Sequence, residues 1–194
     1  MKIILASASP RRQQLLKDLG IRYILHPSHI NEHTKYSRPS AIVLDLAKRK
    51  ALATAKLYKE GIVIGADTIV VLKGEIIGKP RHEKDAEKIL GKLSGTFHRV
   101  YTGIALADAA TKKVEAAYEM SRVKMRKIGK EKLGVLSRKH LDKAGAYAVQ
   151  EPEDAFVEKI VGDYYNVVGL PIKLLCRMLN KHGVNVCGKI PQMP

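Results

Sequence analysis

An apolar run in the first half of the chain most constrains the fold. Residues 61–72 read GIVIGADTIVVL, and most of them are apolar, with many β-branched side chains. A run of this kind predicts a strand that other elements cover on both faces, as in the sheets of α/β proteins. We therefore expect helices packed on a central sheet.

The segments on either side of this run alternate as an α/β protein requires. Ser9 is the expected N-cap of a first helix, Pro10 occupies its favoured first position, and Gly20 closes it. We predict strands at residues 2–6, 23–29, 97–107, 114–127 and 167–170, and helices at 10–19, 40–59, 82–93, 131–140 and 171–181. The predicted fold is α/β with three layers and a mixed sheet, because the ribbon at 97–127 is antiparallel.

Length and composition favour one domain. The 194 residues suffice for a single domain or one core with two lobes, and residues 185–194 are expected to form an irregular tail. The apolar run at the N-terminus is too short for a signal-peptide core or a membrane span. Cys176 and Cys187 form neither a C-x-x-C pair nor a disulfide framework. We expect a cytoplasmic protein with no membrane association.

The charge is strongly positive. Lys and Arg number 35 and Asp and Glu 19, which gives a formal net charge of +16. Nucleic acid, a membrane surface or a polyphosphate metabolite would all suit this field, as would a lysine-rich surface that serves only solubility. Net charge alone does not separate these alternatives, so the choice depends on a clustered site.

Asp67 interrupts the central apolar run. A carboxylate in a covered strand is costly unless it is paired, hydrogen-bonded or bound to a metal. One interpretation is that the strand ends at this point and Asp67 caps a turn. The other is that Asp67 is a general base or a metal ligand.

Lys50 raises a similar question. In a helix over residues 40–59 it falls at the centre of an apolar stripe, which consists of Val43, Leu46, Ala47, Ala53 and Leu57. The side chain either extends past the edge of the core or reaches into a cleft to meet an anion.

Three further patterns are less specific about structure or function. GEIIGKP, residues 74–80, lacks the spacing and the hydroxyl residue of a Walker A loop, so Lys79 is either a phosphate ligand at a strand end or a surface lysine. His26, His29 and His33 are expected in a loop and not in a metal site. SRVKMRK, residues 121–127, predicts a half-buried strand with a basic outer face. This face could contact nucleic acid, but no aromatic residues are interleaved with its cations, which favours a solvated face.

Seven segments together resemble one known family. They are LASASPRRQQLL (5–16), LAKRKA (46–51), GADTIV (65–70), GKP (78–80), LSG (93–95), LDKAGAYAVQ (141–150) and GDYYNVVGLP (162–171). In this order and at these spacings they resemble the Maf family of nucleoside triphosphate pyrophosphatases, over residues 3–179. The resemblance implies a single elongated domain with two lobes around a nucleotide cleft, similar to the inosine triphosphate pyrophosphatases.

The resemblance also implies a reaction and a set of site residues. The reaction is hydrolysis between the α and β phosphates of a nucleotide, with release of pyrophosphate and with Mg²⁺ or Mn²⁺ as the divalent cation. Asp67 matches the proton acceptor that activates water, and Glu32 matches an acidic residue that shares the metal or orients that water. The positions that match the triphosphate ligands of the family are Ser7, Arg11, Arg12, Lys50 and Lys79. A homodimer is also consistent with the family.

Three positions bear on the base that is accepted. Arg11, Thr68 and Gln150 resemble the branch of the family that hydrolyses dTTP and UTP, and modified pyrimidine nucleotides are further candidate substrates. A glutamine side chain offers both a donor and an acceptor, which suits a pyrimidine edge. Asn31 and Ala148 depart from the family pattern beside the expected second acidic site and base pocket.

Two alternatives remain at this stage. The first is a 7-methyl-GTP or purine-type pyrophosphatase with the same chemistry. The second is a basic protein that binds nucleic acid or inhibits septum formation without turnover. Nucleic acid is not the expected partner, because a surface that only binds nucleic acid would not need Asp67 and Lys50 in apolar surroundings.

Overall fold

A seven-stranded mixed sheet organises the fold. The computed structural model describes residues 1–139, 141, 143–149 and 156–186. The strands are Ile3–Leu5 (β1), Ile24–Leu25 (β2), Ile62–Leu72 (β3), Glu75–Ile77 (β4), Phe97–Asp108 (β5), Val114–Met125 (β6) and Val157–Val161 (β7). Their order is β2-β1-β3-β5-β6-β7, with β4 paired to β3. Strand β1 is parallel to β2 and β3, whereas β4 and β7 are antiparallel to their neighbours. The predicted mixed α/β fold is confirmed.

Six α-helices accompany the sheet in the described part of the chain. They are Pro10–Asp18 (α1), Pro39–Ala55 (α2), Glu83–Leu93 (α3), Lys130–Leu136 (α4), Tyr164–Val168 (α5) and Ile172–Lys181 (α6). Helix α1 begins as predicted, with Ser9 at the N-cap and Pro10 in the first turn. Gly20 follows the helix with a φ of 69°, a left-handed conformation that glycine adopts without strain.

The central strand β3 is covered as its sequence predicts. Every one of its residues is buried except Thr68 and Ile69, which are half-buried. Its first residues pair in parallel with β1, with Val63 opposite Ile4, and its last residues turn back through Lys73 and Gly74 into β4. Asp67 therefore lies within a continuous strand, so the interpretation that it caps a turn at a strand end was wrong.

The chain divides into two compact units, each with its own core. The first comprises Met1–Asp67, Thr102–Glu119 and the chain from Gly169 onward, and the second comprises Thr68–Tyr101 and Met120–Val168. A cluster in the first unit is built mainly from small residues: Ile4, Ala6, Ala47, Ala51, Ala55, Val63, Ala105, Ala107 and Ala109. The core of the second unit uses larger side chains, among them Leu90, Leu93, Val100, Met125 and Tyr147.

Three elements differ most from the sequence prediction. The strand expected at 23–29 is reduced to Ile24–Leu25, both of which are exposed. The strand expected at 167–170 is wrong, because Tyr164–Val168 forms a short helix; a brief apolar run does not by its periodicity distinguish a helix from a strand. Strand β7 was not predicted, since the sequence VEKIV has charged residues at its centre.

Candidate active site

Three charged side chains from separate parts of the chain meet in the first unit. Nζ of Lys50, on α2, lies 2.7 Å from Oδ1 of Asp67, on β3, and 2.7 Å from Oε1 of Glu32, in the loop before α2. The side chains of Lys50 and Asp67 are only 12% and 10% exposed, and that of Glu32 is 58% exposed. The two carboxylates that the family resemblance implicates in catalysis are thus joined by one ammonium group.

Close packing between α2 and β3 makes this meeting possible. A Cβ added at Gly65 would lie 2.3 Å from the carbonyl oxygen of Ala47 and 2.7 Å from the amide nitrogen of Ala51, so only glycine fits at this point of the strand. Glycine inside a strand often marks such an approach of another backbone. Because the helix lies this close, Lys50 reaches Asp67, two residues beyond Gly65. Lys50 therefore meets anions, and they are carboxylates of the protein.

The apolar stripe of α2 differs in part from its predicted form. Val43, Leu46 and Ala47 are buried, as expected. Ala53 is only half-buried, and Leu57 is 65% exposed because the helix ends at Ala55.

Arg49 positions the loop that carries Glu32. Its guanidinium group donates to the carbonyl oxygen of His33 at 2.7 Å and to that of Asn31, the two residues that flank Glu32. It also forms an ion pair with Asp45, one turn earlier on α2, at 3.3 Å. The sequence analysis did not select Arg49, and nothing in the spacing of an arginine beside Lys50 points to a contact with a loop 16 residues away.

Arg12 is held by groups of the protein. Its Nε donates to the carbonyl oxygen of Gly169 at 2.8 Å, and its Nη1 donates to Oγ of Ser7 and to the carbonyl oxygen of Ala66, both at 3.0 Å. Burial lowers the pKa of Arg12 to about 10; the negative charges of Asp67 and Glu32 oppose this shift, and the charge of Arg11 adds to it. Arg12 thus links the residues after β1, the residue before Asp67 and the chain before α6.

Ser7 is the point where β1 leads into α1. It is buried, and its Oγ accepts hydrogen bonds from the amide of Ser9 and from Arg12. The side chain of Ser9 itself forms no capping hydrogen bond, and the first turn of α1 contains no acidic residue. Arg11 and Arg12 therefore lie at a helix terminus that carries partial positive charge, where an anion would be favoured.

Two further predicted site residues, Thr68 and Lys79, belong to the second unit. Thr68, which follows Asp67 in β3, is half-buried, and Lys79 is exposed between β4 and α3. Gln150 lies outside the described residues, so its prediction has no structural counterpart here.

His26, His29 and His33 lie in irregular segments between β2 and α2. His26 and His29 are part of an irregular segment, and Nδ1 of His26 lies 2.9 Å from the hydroxyl oxygen of Tyr58. Within the described ranges, no group of three or more His, Cys, Asp or Glu side chains is arranged to hold a metal ion. The prediction that these histidines lie in a loop is confirmed.

The pair Asp67 and Glu32 nevertheless fits a hard divalent cation. Both carboxylates already contact one cation, the Lys50 ammonium, so their oxygens converge on one point. Mg²⁺ is commonly bound through one or two carboxylates together with substrate phosphates and water, without a complete cage of protein ligands. A two-carboxylate donor set is therefore chemically adequate when a phosphate ligand completes it.

The fold of this chain is similar to that of a solved structure. The Ham1 protein of Staphylococcus aureus has a similar structure, with a TM-score of 0.57, 17% sequence identity and coverage of 94% of this chain and 100% of that one. The chain belongs to the Maf family: the profile described as Maf-like protein matches residues 2–182.

Relatives in the family carry a specific activity in their names. The dTTP/UTP pyrophosphatase of Elusimicrobium minutum is 42% identical over 183 residues, which are 94% of this chain and 100% of that protein. The dTTP/UTP pyrophosphatase of Pelotomaculum thermopropionicum is 44% identical over 188 residues, which are 95% and 98% of the two chains. The family resemblance read from the seven motifs is confirmed.

No helix in the described part of the chain has the length and apolar character that a membrane span needs.

Proposed function

We propose that this protein is a nucleoside triphosphate pyrophosphatase that hydrolyses dTTP and UTP between the α and β phosphates, releasing the monophosphate and pyrophosphate. The observation that carries the proposal is the contact of Asp67 and Glu32 with the same Lys50 ammonium. Membership of the Maf family and relatives named for this activity over nearly their whole length support it.

In this proposal Asp67 is the proton acceptor. Its carboxylate is 10% exposed, and the hydrogen bond from Lys50 holds Oδ1 in place, so its other oxygen can accept a proton from a water molecule. Glu32 is more exposed and lies on a loop that Arg49 positions. It is suited to orienting that water or to sharing a metal ion.

Asp67 and Glu32 would also hold the divalent cation, Mg²⁺ or Mn²⁺. Such an ion neutralises developing charge on phosphate oxygens and lowers the pKa of bound water. The residues of the chain supply the rest: they bind the triphosphate, orient it and hold the proton acceptor.

We assign the triphosphate to the basic residues that match the family pattern. They are Arg11, Arg12, Lys50 and Lys79, together with the hydroxyl group of Ser7. Phosphoryl transfer depends mainly on positioning and on neutralisation of oxygen charge, which cations supply. Because Nε and Nη1 of Arg12 are directed to acceptors of the protein, we expect Arg12 to act chiefly through its charge and by holding Ser7 in place.

Base selection is assigned to Arg11, Thr68 and Gln150. The trio matches the dTTP and UTP branch of the family, and each side chain can donate a hydrogen bond to a pyrimidine carbonyl oxygen.

The proposed setting is the cytoplasm, where nucleoside triphosphates are used. The homodimer remains a prediction that light scattering on the purified protein would test.

A substrate panel tests the proposal. The protein is incubated with Mg²⁺ or Mn²⁺ and, separately, dTTP, UTP, CTP, GTP and 7-methyl-GTP, and pyrophosphate release is measured. We expect turnover of dTTP and UTP in preference to the others. Turnover of 7-methyl-GTP alone would place the protein in the purine-type branch, and absence of turnover with any nucleotide would overturn the proposed activity.

A further inference from the structure

One exposed face of the sheet combines an aromatic ring with four cations. Alternation along β5 and β6 in the second unit turns Phe97, Arg99, Arg122 and Lys124 away from the core, since their strand neighbours His98, Val100, Val123 and Met125 are buried. The register places Lys159 of β7 opposite Lys124, on the same face. We call these five outward residues the basic sheet face. None of them is needed for the proposed hydrolysis.

The aromatic ring lies among the cations. Phe97 is 44% exposed; the guanidinium carbon of Arg122 lies 4.9 Å from its ring centroid, and Nζ of Lys124 lies 5.1 Å from it. The basic pattern of residues 121–127 contains no aromatic residue, but β5 supplies one from the neighbouring strand. The feature whose absence argued against nucleic acid in the sequence is therefore present in the fold.

The cations of this face, Arg99, Arg122, Lys124 and Lys159, form no ion pair with any carboxylate that the structure describes. Glu158, at the bulge in β7, pairs with none of them. Lys124 lies directly opposite Lys159 in the β6–β7 register, and like charges in this relation destabilise a sheet. An anion bound at the face would relieve this repulsion.

We propose that the basic sheet face binds single-stranded nucleic acid. Phosphates would contact the four cations, and an unpaired base would stack against Phe97 or the planar guanidinium of Arg122. Sheet surfaces with exposed aromatic rings among cations are the usual platforms for unpaired bases. A second copy of the chain is disfavoured as the occupant, because two such faces would bring cations together; an acidic peptide would explain the charge but not the exposed ring.

Fluorescence anisotropy with labelled dT15 tests the proposal. We expect the affinity for dT15 to fall steeply as the salt concentration rises and to exceed the affinity for dT3. Added dTTP at the same concentration of phosphate groups should not displace the labelled dT15. Phe97→Ala should weaken binding about tenfold, within the range known for loss of a stacked base. Phe97→Leu keeps an apolar side chain without the ring and should weaken binding to a similar extent.

Matched variants separate this face from general surface charge. Tyr36 is also 44% exposed and lies beside a cation, Lys35, but it is not part of the basic sheet face. Tyr36→Ala should therefore leave the affinity for dT15 unchanged. Replacement of Arg122 and Lys124 by Gln should lower the slope of log affinity against log salt by about 1.4, whereas the same change at Lys84 and Lys88, exposed on α3, should not.

The remaining outcomes decide against the proposal. Equal effects of the two double variants, or an unchanged affinity in Phe97→Ala, would overturn it in favour of unspecific charge attraction. Association of the protein with itself that is lost in Phe97→Ala, without dT15 binding, would assign the face to a second copy. Absence of dT15 binding by the unaltered protein, with pyrophosphate release intact, would overturn this proposal and leave the proposed hydrolysis unaffected, because none of these residues belongs to the candidate active site.

Discussion

Nζ of Lys50 lies 2.7 Å from Oδ1 of Asp67, and both side chains are nearly buried. A buried pair contributes little net stability when intact, but removal of one partner leaves an uncompensated charge. The pair also shows that the cluster contains a resident cation before any substrate binds. Two of the three N–H donors of the ammonium already face carboxylates, so contact with phosphate in the proposed reaction uses the third donor or replaces a carboxylate partner.

Replacement of Lys50 tests this relationship. Lys50→Met should lower the free energy of unfolding by about 3 kcal/mol in the absence of metal, because Asp67 loses its counter-charge. Mn²⁺ should restore part of the loss and should bind the nucleotide-free variant more tightly than the unaltered protein, which urea unfolding and electron paramagnetic resonance would measure. Lys48→Met, two residues earlier and exposed, is the control. Equal Mn²⁺ affinities in the unaltered protein and Lys50→Met would contradict the expectation.

The Asp67 carboxylate can be changed without altering its shape. Asp67→Asn keeps an oxygen that accepts from Lys50 but removes the basicity needed for a proton acceptor, so turnover of dTTP should fall by at least about 100-fold. Nucleotide binding, measured by calorimetry with a non-hydrolysable analogue, should remain largely intact. Loss of the folded state in this variant would instead identify Asp67 as a structural residue.

Arg49 should act on the reaction through Glu32. Arg49→Gln removes the guanidinium that binds the carbonyl groups on both sides of Glu32, so kcat should fall about tenfold while the KM for dTTP changes little. Arg49→Lys should recover only part of the activity, because an ammonium lacks the planar arrangement of donors. Steady-state kinetics of the two variants beside Lys48→Gln would check this. A large rise in KM at constant kcat would point to direct substrate binding by Arg49.

Gly65 determines how closely α2 lies to β3. Gly65→Ala would bring Cβ to 2.3 Å from the carbonyl oxygen of Ala47, so α2 must shift, and we expect a loss of about 2–3 kcal/mol in the free energy of unfolding. Activity should fall as well, since Lys50 moves with the helix. The control is Gly91→Ala in α3, where a Cβ meets nothing within 4 Å and helix propensity should raise stability by about 0.5–1 kcal/mol. Chemical denaturation of both variants distinguishes a steric effect from a general effect of alanine.

His98 should make stability depend on pH. It is buried in the second unit, with Nε2 2.7 Å from the hydroxyl oxygen of Tyr147, and burial lowers the pKa of His98 to about 4. The unfolded chain binds this proton near pH 6.5, so stability is complete above that pH and declines as the pH falls toward 4. The decline attributable to His98 should reach about 3 kcal/mol.

Urea unfolding at pH 7.5 and pH 4.5 measures this contribution. His98→Gln removes the titrating group while keeping a polar partner for Tyr147, and should show a smaller loss of stability on acidification. His29→Gln, in an exposed loop, should behave like the unaltered protein. An identical pH dependence in all three proteins would exclude His98 as the source.

Local sequence patterns were sufficient where the relevant physics is local. The apolar run of β3, the start of α1 at Ser9 and Pro10, and the turn at Lys73 and Gly74 all agree with the structure, because side-chain periodicity, capping and backbone preference act within a few residues. The same patterns failed at Tyr164–Val168 and at β7, where a short segment takes its conformation from the elements that pack against it.

The sequence by itself determined the family and the α/β class, and it predicted the residues of the candidate site. Only the tertiary structure decided how those residues meet: Lys50 bonds to Asp67 and Glu32, Arg49 flanks Glu32, and Phe97 joins cations of a neighbouring strand. These relationships depend on the approach of α2 at Gly65 and on the register of the sheet. Both are set by packing between distant segments, and packing of that kind leaves no period or spacing in the chain.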